Sequence, residues 1–220
     1  MGRGEGVQIQ LRHLHIDYGA LPSSPGDWYD GDAAVTEVFH ALSVTFPGGE
    51  SFFMDSVQHF GRQLREDHPT LWGEVVLFLK QEALHSAAHE KWNLRVQEEF
   101  GHPMAELERI VNLVMQCQQR ILSPMWQLAC TVAFEHLTAT FGYILLQTHS
   151  AEDACGRRRM RAPQRWLWTW HALEEIEHKS VAFDVYEAVG GGYLQRAVAM
   201  LWATLVFAIT FGLVRIFLHW

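Results

Sequence analysis

Long apolar-rich segments of helical length alternate along this chain with short breaks of Gly, Pro, Ser and Asp. No run alternates apolar and polar residues as a half-buried strand would. Residues 1–31 carry clusters such as Pro22-Ser23-Ser24-Pro25-Gly26-Asp27 and read as an irregular lead-in. Asp32 is placed to cap a short helix that runs to about residue 46 and stops at Pro47-Gly48-Gly49. A second helix is predicted over 49–67. A third follows over 69–100, with Pro69 in its first turn and Gly101 just past its end. Helices over 103–122 and 124–148 come next, the latter opened by Ser123-Pro124. The polar, Arg-rich stretch 149–162 is the longest break. A helix over 163–189 ends at Gly190-Gly191-Gly192, and an apolar segment fills 193–220. The reading is all-α: a lead-in (1–31), a helical bundle (32–192) and an apolar C-terminal helix (193–220).

That last segment stands out. From 197 to 214 there are 18 residues without a charge, bounded by Arg196 and Arg215, barely the length of a membrane span. A helix apolar all round is rare on a water-facing surface. It is either a core helix, set against the bundle or at a homodimer seam, or a membrane-contacting segment that brings the protein to a lipid-like substrate. The chain stops at Phe217-Leu218-His219-Trp220 with no polar cap, as a truncated segment would.

Composition narrows the partners. Lys plus Arg is 17 against 25 Asp plus Glu, a net charge of −8, which argues against nucleic acid because phosphate binding rests on surplus cations. The cluster Arg157, Arg158, Arg159 and Arg161 falls in the long break and reads as a solvated linker. Cys117, Cys130 and Cys155 are far apart, so neither a disulfide framework nor a zinc-thiolate site is supported. Residues 1–10 lack the apolar core of a secretory signal, and a cytoplasmic setting is expected, with membrane association if 197–214 contacts lipid. Thirteen His is a high count for the length. His13 and His15 form an isolated His-x-His with no other ligand type nearby.

The chemistry lies in four acidic positions on four otherwise apolar helices. Glu50 follows Pro47-Gly48-Gly49, Glu82 is paired with His85, Glu135 stands within Ala133-Phe134-Glu135-His136, and Glu175 is paired with His178. Residues three apart share a helix face, so each Glu-x-x-His presents a carboxylate and an imidazole together. Two such pairs plus one Glu from each of two other helices make the ligand set of di-iron and di-manganese carboxylate bundles, and imidazole suits iron, manganese or zinc. A lone Glu-x-x-His is common by chance, and a helix-initial Glu50 would ordinarily compensate a dipole. Register argues for the set. Glu50 lies 17 residues before position 67, and Glu82 and His85 lie 15 and 18 after it; Glu135 is 13 before 148 and Glu175 is 12 after 163. Both hairpins therefore bring their ligands level. Buried carboxylates without counter-charge cost several kcal/mol each, and two metal ions remove that cost.

In this order the residues resemble the ferritin-like di-iron superfamily. More narrowly, Phe46-Pro47-Gly48-Gly49-Glu50, Gln81-Glu82-Ala83-x-His85, Glu135-His136-x-Thr138-Ala139 and Trp170-His171-x-x-Glu174-Glu175-x-Glu177-His178-Lys179 resemble a bacterial family labelled "predicted metal-dependent hydrolase", over about residues 30–210. The resemblance implies a ferritin-like four-helix bundle with additional helices and two metal ions, iron first, manganese or zinc otherwise. The 163–189 segment also resembles the arylamine N-oxygenases, in which an additional His precedes the Glu-x-x-His by four residues. His171 stands there, on one stripe with Glu175 and His178, and joins the ligand list.

Around this set, His89 lies one turn beyond His85 and reads as a group supporting a ligand. Glu174, four residues before His178, is placed to orient the free nitrogen of that ring. Glu177 is expected to be exposed or paired with Lys179, His136 to face another helix, and Trp166, Trp168 and Trp170 to pack in the core. Three activities fit the ligands: an O2-activating di-iron oxygenase or oxidase, a hydrolase using metal-activated water, and iron oxidation and handling without an organic substrate. The histidine-rich 163–189 segment and the few polar substrate-binding residues favour the first, acting on a small-molecule or lipid-like substrate.

Overall fold

A computed structural model describes residues 9–18, 28–29, 31–150, 160 and 164–219, the side chains of 148–150 and 219 excepted. Cys155 and the 157–161 arginine cluster lie outside the described residues. Among those described, the regular elements are eight helices: α1 (Ala33–Gln58), α2 (Gly61–Asp67), α3 (Pro69–Phe100), α4 (Met104–Ile121), α5 (Pro124–Ser150), α6 (Gln164–His178), α7 (Val181–Ala188) and α8 (Tyr193–His219). Asp32 caps α1, its carboxylate accepting from Val35 N at 3.1 Å. Gly101 closes α3 at φ 70, a left-handed position where a side chain would be strained.

The expected stop at Pro47-Gly48-Gly49 does not occur, because α1 runs straight through it. A mid-helix proline orphans the carbonyl four residues earlier, here that of Ser43, and Asn93 of α3 satisfies it by donating from Nδ2 at 3.2 Å. Gly48 is buried where a Cβ would meet Asn112 Oδ1 at 2.5 Å and Val111 at 3.2 Å. The motif is thus a close-packing surface for α4 rather than a breaker, and Glu50 sits mid-helix instead of at a helix start. The hairpin helix expected over 49–67 is interrupted at His59-Phe60, which separates α1 from α2. The helix expected over 163–189 is likewise divided, at Lys179-Ser180.

The helices pack α1 against α3 and α4, and α5 against α6 and α8, with α1 and α5 facing one another. Aromatic rings fill the middle, including Phe39 against Trp168 (centroids 4.8 Å apart) and Phe53 against Phe134 (5.6 Å). Trp168 and Trp170 are core residues, whereas Trp166 is 55% exposed. A Cβ on Gly142 would lie 2.9 Å from the Ala172 carbonyl, so α5 and α6 approach backbone to backbone and hold Glu135 and Thr138 beside Glu175. The described part of the lead-in also belongs to the packed structure. Ile9, Leu14, Ile16 and Tyr18 rest on the core, while His13 and His15 alternate outward into solvent and join none of the ligand clusters among the described residues.

Candidate metal centre

Four helices deliver the candidate ligands: α1 brings Glu50, α3 Glu82 and His85, α5 Glu135, and α6 His171, Glu175 and His178. All are buried. They assemble as two adjoining groups, Glu50–His85–His171–Glu175 and Glu82–Glu135–His178, with ligand atoms within 4.8 Å of one another in each. Glu175 joins the groups. Its Oε1 lies 2.8 Å from His171 Nε2 and 3.7 Å from His85 Nδ1, while its Oε2 lies 3.7 Å from His178 Nε2. Glu82 Oε1 also reaches across, 3.0 Å from His178 Nε2 and 3.9 Å from His85 Nδ1.

Each imidazole is held by its outer nitrogen. His85 Nε2 meets Glu174 Oε2 at 3.0 Å, and the acceptor-only carboxylate makes this nitrogen the protonated one. Its Nδ1 therefore faces the carboxylates bare. His178 Nδ1 meets Gln81 Oε1 at 2.9 Å, and Gln81 Nε2 donates to the Gln10 carbonyl at 3.1 Å, which fixes the amide orientation. His178 thus donates outward and offers Nε2 inward. For His171 the anchor is further away. Asn93 Nδ2 donates to the Ser43 carbonyl and to Glu108 Oε1 (2.7 Å), so Asn93 Oδ1 accepts from Ser43 Oγ at 2.6 Å. Having used its proton, Ser43 Oγ accepts from His89 Nδ1 at 2.8 Å. His89 Nε2 then accepts from His171 Nδ1 at 2.8 Å. His171 thus donates outward through Nδ1 and turns Nε2 to Glu175 Oε1, 2.8 Å away. Acceptors of this kind fix the ring and raise its basicity toward a metal.

Several expectations change here. Glu174 orients His85, not His178, because α6 packs it toward α3; Gln81 takes the role at His178. Glu177 is neither exposed nor paired with Lys179. It accepts two hydrogen bonds from Arg12, at 2.8 and 2.6 Å, and Arg12 N also donates to Glu174 at 3.3 Å. The lead-in therefore braces the motif from outside. His136 is exposed in a groove of about 690 Å³ that it shares with Lys179 and with Tyr193 and Arg196 of α8. The candidate ligand that His89 meets is His171 of α6. Gln81 and Thr138 lie within the sequence motifs, whereas Arg12, Ser43, Asn93 and Glu108 carry no local signal, since their contacts span from 15 to 165 residues.

The electrostatics suit a cation. Glu50 Oε1, both oxygens of Glu82 and of Glu135, His85 Nδ1 and His178 Nε2 are buried with no hydrogen-bond partner, a cost that buried polar atoms rarely bear. Burial, reinforced by Glu82 and Glu175, pushes the Glu50 carboxyl well above its ordinary range. Burial and the neighbouring carboxylates do the same to Glu82, and burial does so to Glu135 against the pull of His178. Burial pushes Glu175 the same way, but contacts with His171 and His178 outweigh it and hold Glu175 well below. Burial keeps His85 and His89 well below the usual imidazole range. For His178 burial is outweighed by Glu175 and Glu135, and its pKa is raised.

A cavity of about 370 Å³ abuts this centre. His171, Glu175 and Thr138 line it at the centre, and Thr138 Oγ1 donates to Glu175 Oε2 at 2.5 Å. Its remaining walls are almost wholly apolar, including Phe46, Phe141 and Trp168, with Phe207 and Phe211 of α8.

Fold and site together define an all-α protein with buried carboxylate–imidazole clusters able to hold metal. The chain belongs to the family described as "predicted metal-dependent hydrolase", whose profile matches residues 10–220. No curated protein and no solved structure matches it.

The outer contacts give a direct test. Gln81→Leu removes the acceptor at His178 Nδ1 and should weaken metal binding roughly 10- to 100-fold, read by competition with a chelator, while Gln81→Glu keeps an acceptor and should stay near the parent. Unchanged affinity in Gln81→Leu would reduce that contact to packing.

Proposed function

We propose that this chain is a ferritin-like dinuclear enzyme with iron at both positions, an oxygenase or oxidase that activates O2 against an organic substrate. Glu50, His85 and His171 would hold one ion and Glu82, Glu135 and His178 the other, with Glu175 between them. Bound as iron(II), the pair would supply the electrons that reduce O2. The observation that carries this reading is the apolar cavity against His171 and Glu175. Its apolar walls suit an apolar substrate. Apart from the ligands, Thr138 is the one polar side chain at its inner end, and its hydroxyl proton is already directed at Glu175. His171, held through His89, would add a nitrogen donor on the cavity side.

The family description favours a second reading, hydrolysis, in which metal lowers the pKa of a bound water and polarises a substrate oxygen. That chemistry also wants a group to protonate a leaving atom, and apart from the ligands the described lining offers the hydroxyls of Thr138 and Thr140 alone. The readings separate experimentally. Anaerobic protein loaded with iron(II) and mixed with O2 should develop a transient visible absorption, and the zinc form should show none. Turnover of ester or phosphoester probes by the zinc form, with no need for O2, would replace the oxygenase reading with the hydrolase.

A further inference from the structure

The outer face of α8 raises the question of what covers it. Its inner stripe, Ala199, Ala203, Thr210, Val214 and Leu218, is buried against the bundle. The opposite side presents Leu194 (78% exposed), Leu201 (74%), Leu205, Ile209 and Ile216, each more than half exposed. At 100° per residue, the exposed positions from 193 to 213 sweep about half the helix circumference. No charge occurs between Arg196 and Arg215, and the 18-residue apolar window within 193–218 has a mean hydropathy of 2.2 with only 22% of it buried. A helix at a protein–water boundary carries a polar outer face, and this one has none. A single partner helix covers only a narrow seam, far less than half a circumference, so a second copy docking along α8 would leave much of the arc bare. A continuous apolar medium covers all of it.

The ends of the helix suit the edge of such a medium. Tyr193 and Arg196 lie at the N-terminal end, the Arg196 guanidinium 4.6 Å from the Phe183 ring and 5.7 Å from that of Tyr193. Lys179 and Tyr143 line the same groove. Cations and aromatic phenols collect at the headgroup level of bilayers. The cavity beside the metal centre opens on this side. Its exposed lining residues are Thr140 and Ile144 of α5, and its α8 wall is Phe207 and Phe211. The volume lies within the ~300–1,000 Å³ usual for small-molecule sites.

We infer that α8 lies along a lipid bilayer with its outer arc immersed, and that the substrate is a single-chain lipid-type molecule that slides from the bilayer between α5 and α8 to the metal centre. The second half deepens the proposed function and rests on that reading; the first half does not. A helix held flat by its packed inner stripe is monotopic, and its binding scales with the immersed apolar area.

The test uses the full chain, apo and zinc-loaded, so that no result depends on iron or O2. In flotation with phosphatidylcholine vesicles, with and without phosphatidylglycerol, the protein should rise with the lipid, and the double substitution Leu201→Glu/Leu205→Glu should leave it behind with helicity and zinc content unchanged. Both positions are more than half exposed, so the variant loses little packing. Protein that ignores both vesicle types and forms a dimer dispersed by the same substitution would overturn the bilayer in favour of a second copy. For the cavity, a nitroxide-labelled fatty alcohol added without vesicles should be immobilised by the parent and remain free with Val38→Trp, which fills the cavity from α1. Equal immobilisation by both proteins, or by neither, would overturn the substrate route while leaving the metal chemistry untouched.

Discussion

Glu175→Ala should abolish binding of both metal ions in a chain that still folds. Glu175 is the carboxylate that faces both ligand groups, Oε1 toward His171 and His85 and Oε2 toward His178. It is also the one of the four held well below the ordinary carboxylate range, so it is an anion before any metal arrives. The other three can shed their charge by taking up protons. Removing it takes a donor from each group and the counter-charge between them, and affinity should fall by more than the roughly 100-fold that losing an outer contact costs. Metal analysis after equilibration with iron(II) or manganese(II) should find under one ion per chain. His171→Ala is the contrast. It leaves six ligands, so both ions should remain and the change should be in the rate or spectrum of the O2 reaction. Two ions per chain in Glu175→Ala would mean that the groups bind independently and that Glu175 is no bridge.

The metal-free protein should lose stability as pH rises above about 6.5, and metal should abolish that loss. Each group contributes with its own sign. Glu50, Glu82 and Glu135 have raised folded pKa values; the folded chain holds protons that the unfolded chain releases above the ordinary carboxyl value of 4.5, so their effect is a fall in stability with rising pH. His178, also raised, stabilises fully below its unfolded value and loses that contribution as pH climbs through the folded one. His85 and His89 are lowered and act oppositely, but only below the ordinary imidazole value of 6.5. Glu175 is lowered and loses its contribution only in acid. Above 6.5 the carboxyls and His178 therefore act together, a tenfold difference in proton affinity between folded and unfolded chain being worth about 1.4 kcal/mol. Metal replaces the protons. At a thousandfold excess over Kd it should add about 4 kcal/mol, on the order of 10 °C in Tm for a chain of this size. Melting curves at pH 6.5 and 8.5, with chelator and with manganese(II), check this. Parallel curves at the two pH values in chelator would mean that the carboxyls are not held protonated.

The broad architecture was legible from local signals. Pro69, Gly101, Ser123-Pro124 and Gly190 act through their own backbone geometry, so the helices they bound could be placed without knowing their neighbours. Six of the candidate ligand positions were equally accessible, because Glu-x-x-His spacing is a one-helix property and the hairpin registers follow from counting residues to a turn; His171 entered only through the resemblance to arylamine N-oxygenases. The Pro47-Gly48-Gly49 stop failed for the converse reason. A proline inside a helix leaves a carbonyl without its partner, and Asn93, 50 residues away, supplies one here.

The remaining features were decided by tertiary structure alone. Glu174 turns to His85 instead of His178, and Glu177 to Arg12 instead of Lys179, because packing outweighs helical proximity once α3 and the lead-in press on α6. The direction of the His171 Nδ1 hydrogen bond is set through four side chains on three helices, which no spacing encodes. The cavity, too, exists only where α1, α5, α6 and α8 meet. The apolar character of residues 197–214 was written in the sequence, but which half of the helix would be covered depended on where the bundle placed its inner stripe. Local rules act within a few residues and fix elements and ligand faces; orientation, protonation and access arise from contacts between elements, which depend on the whole packed chain.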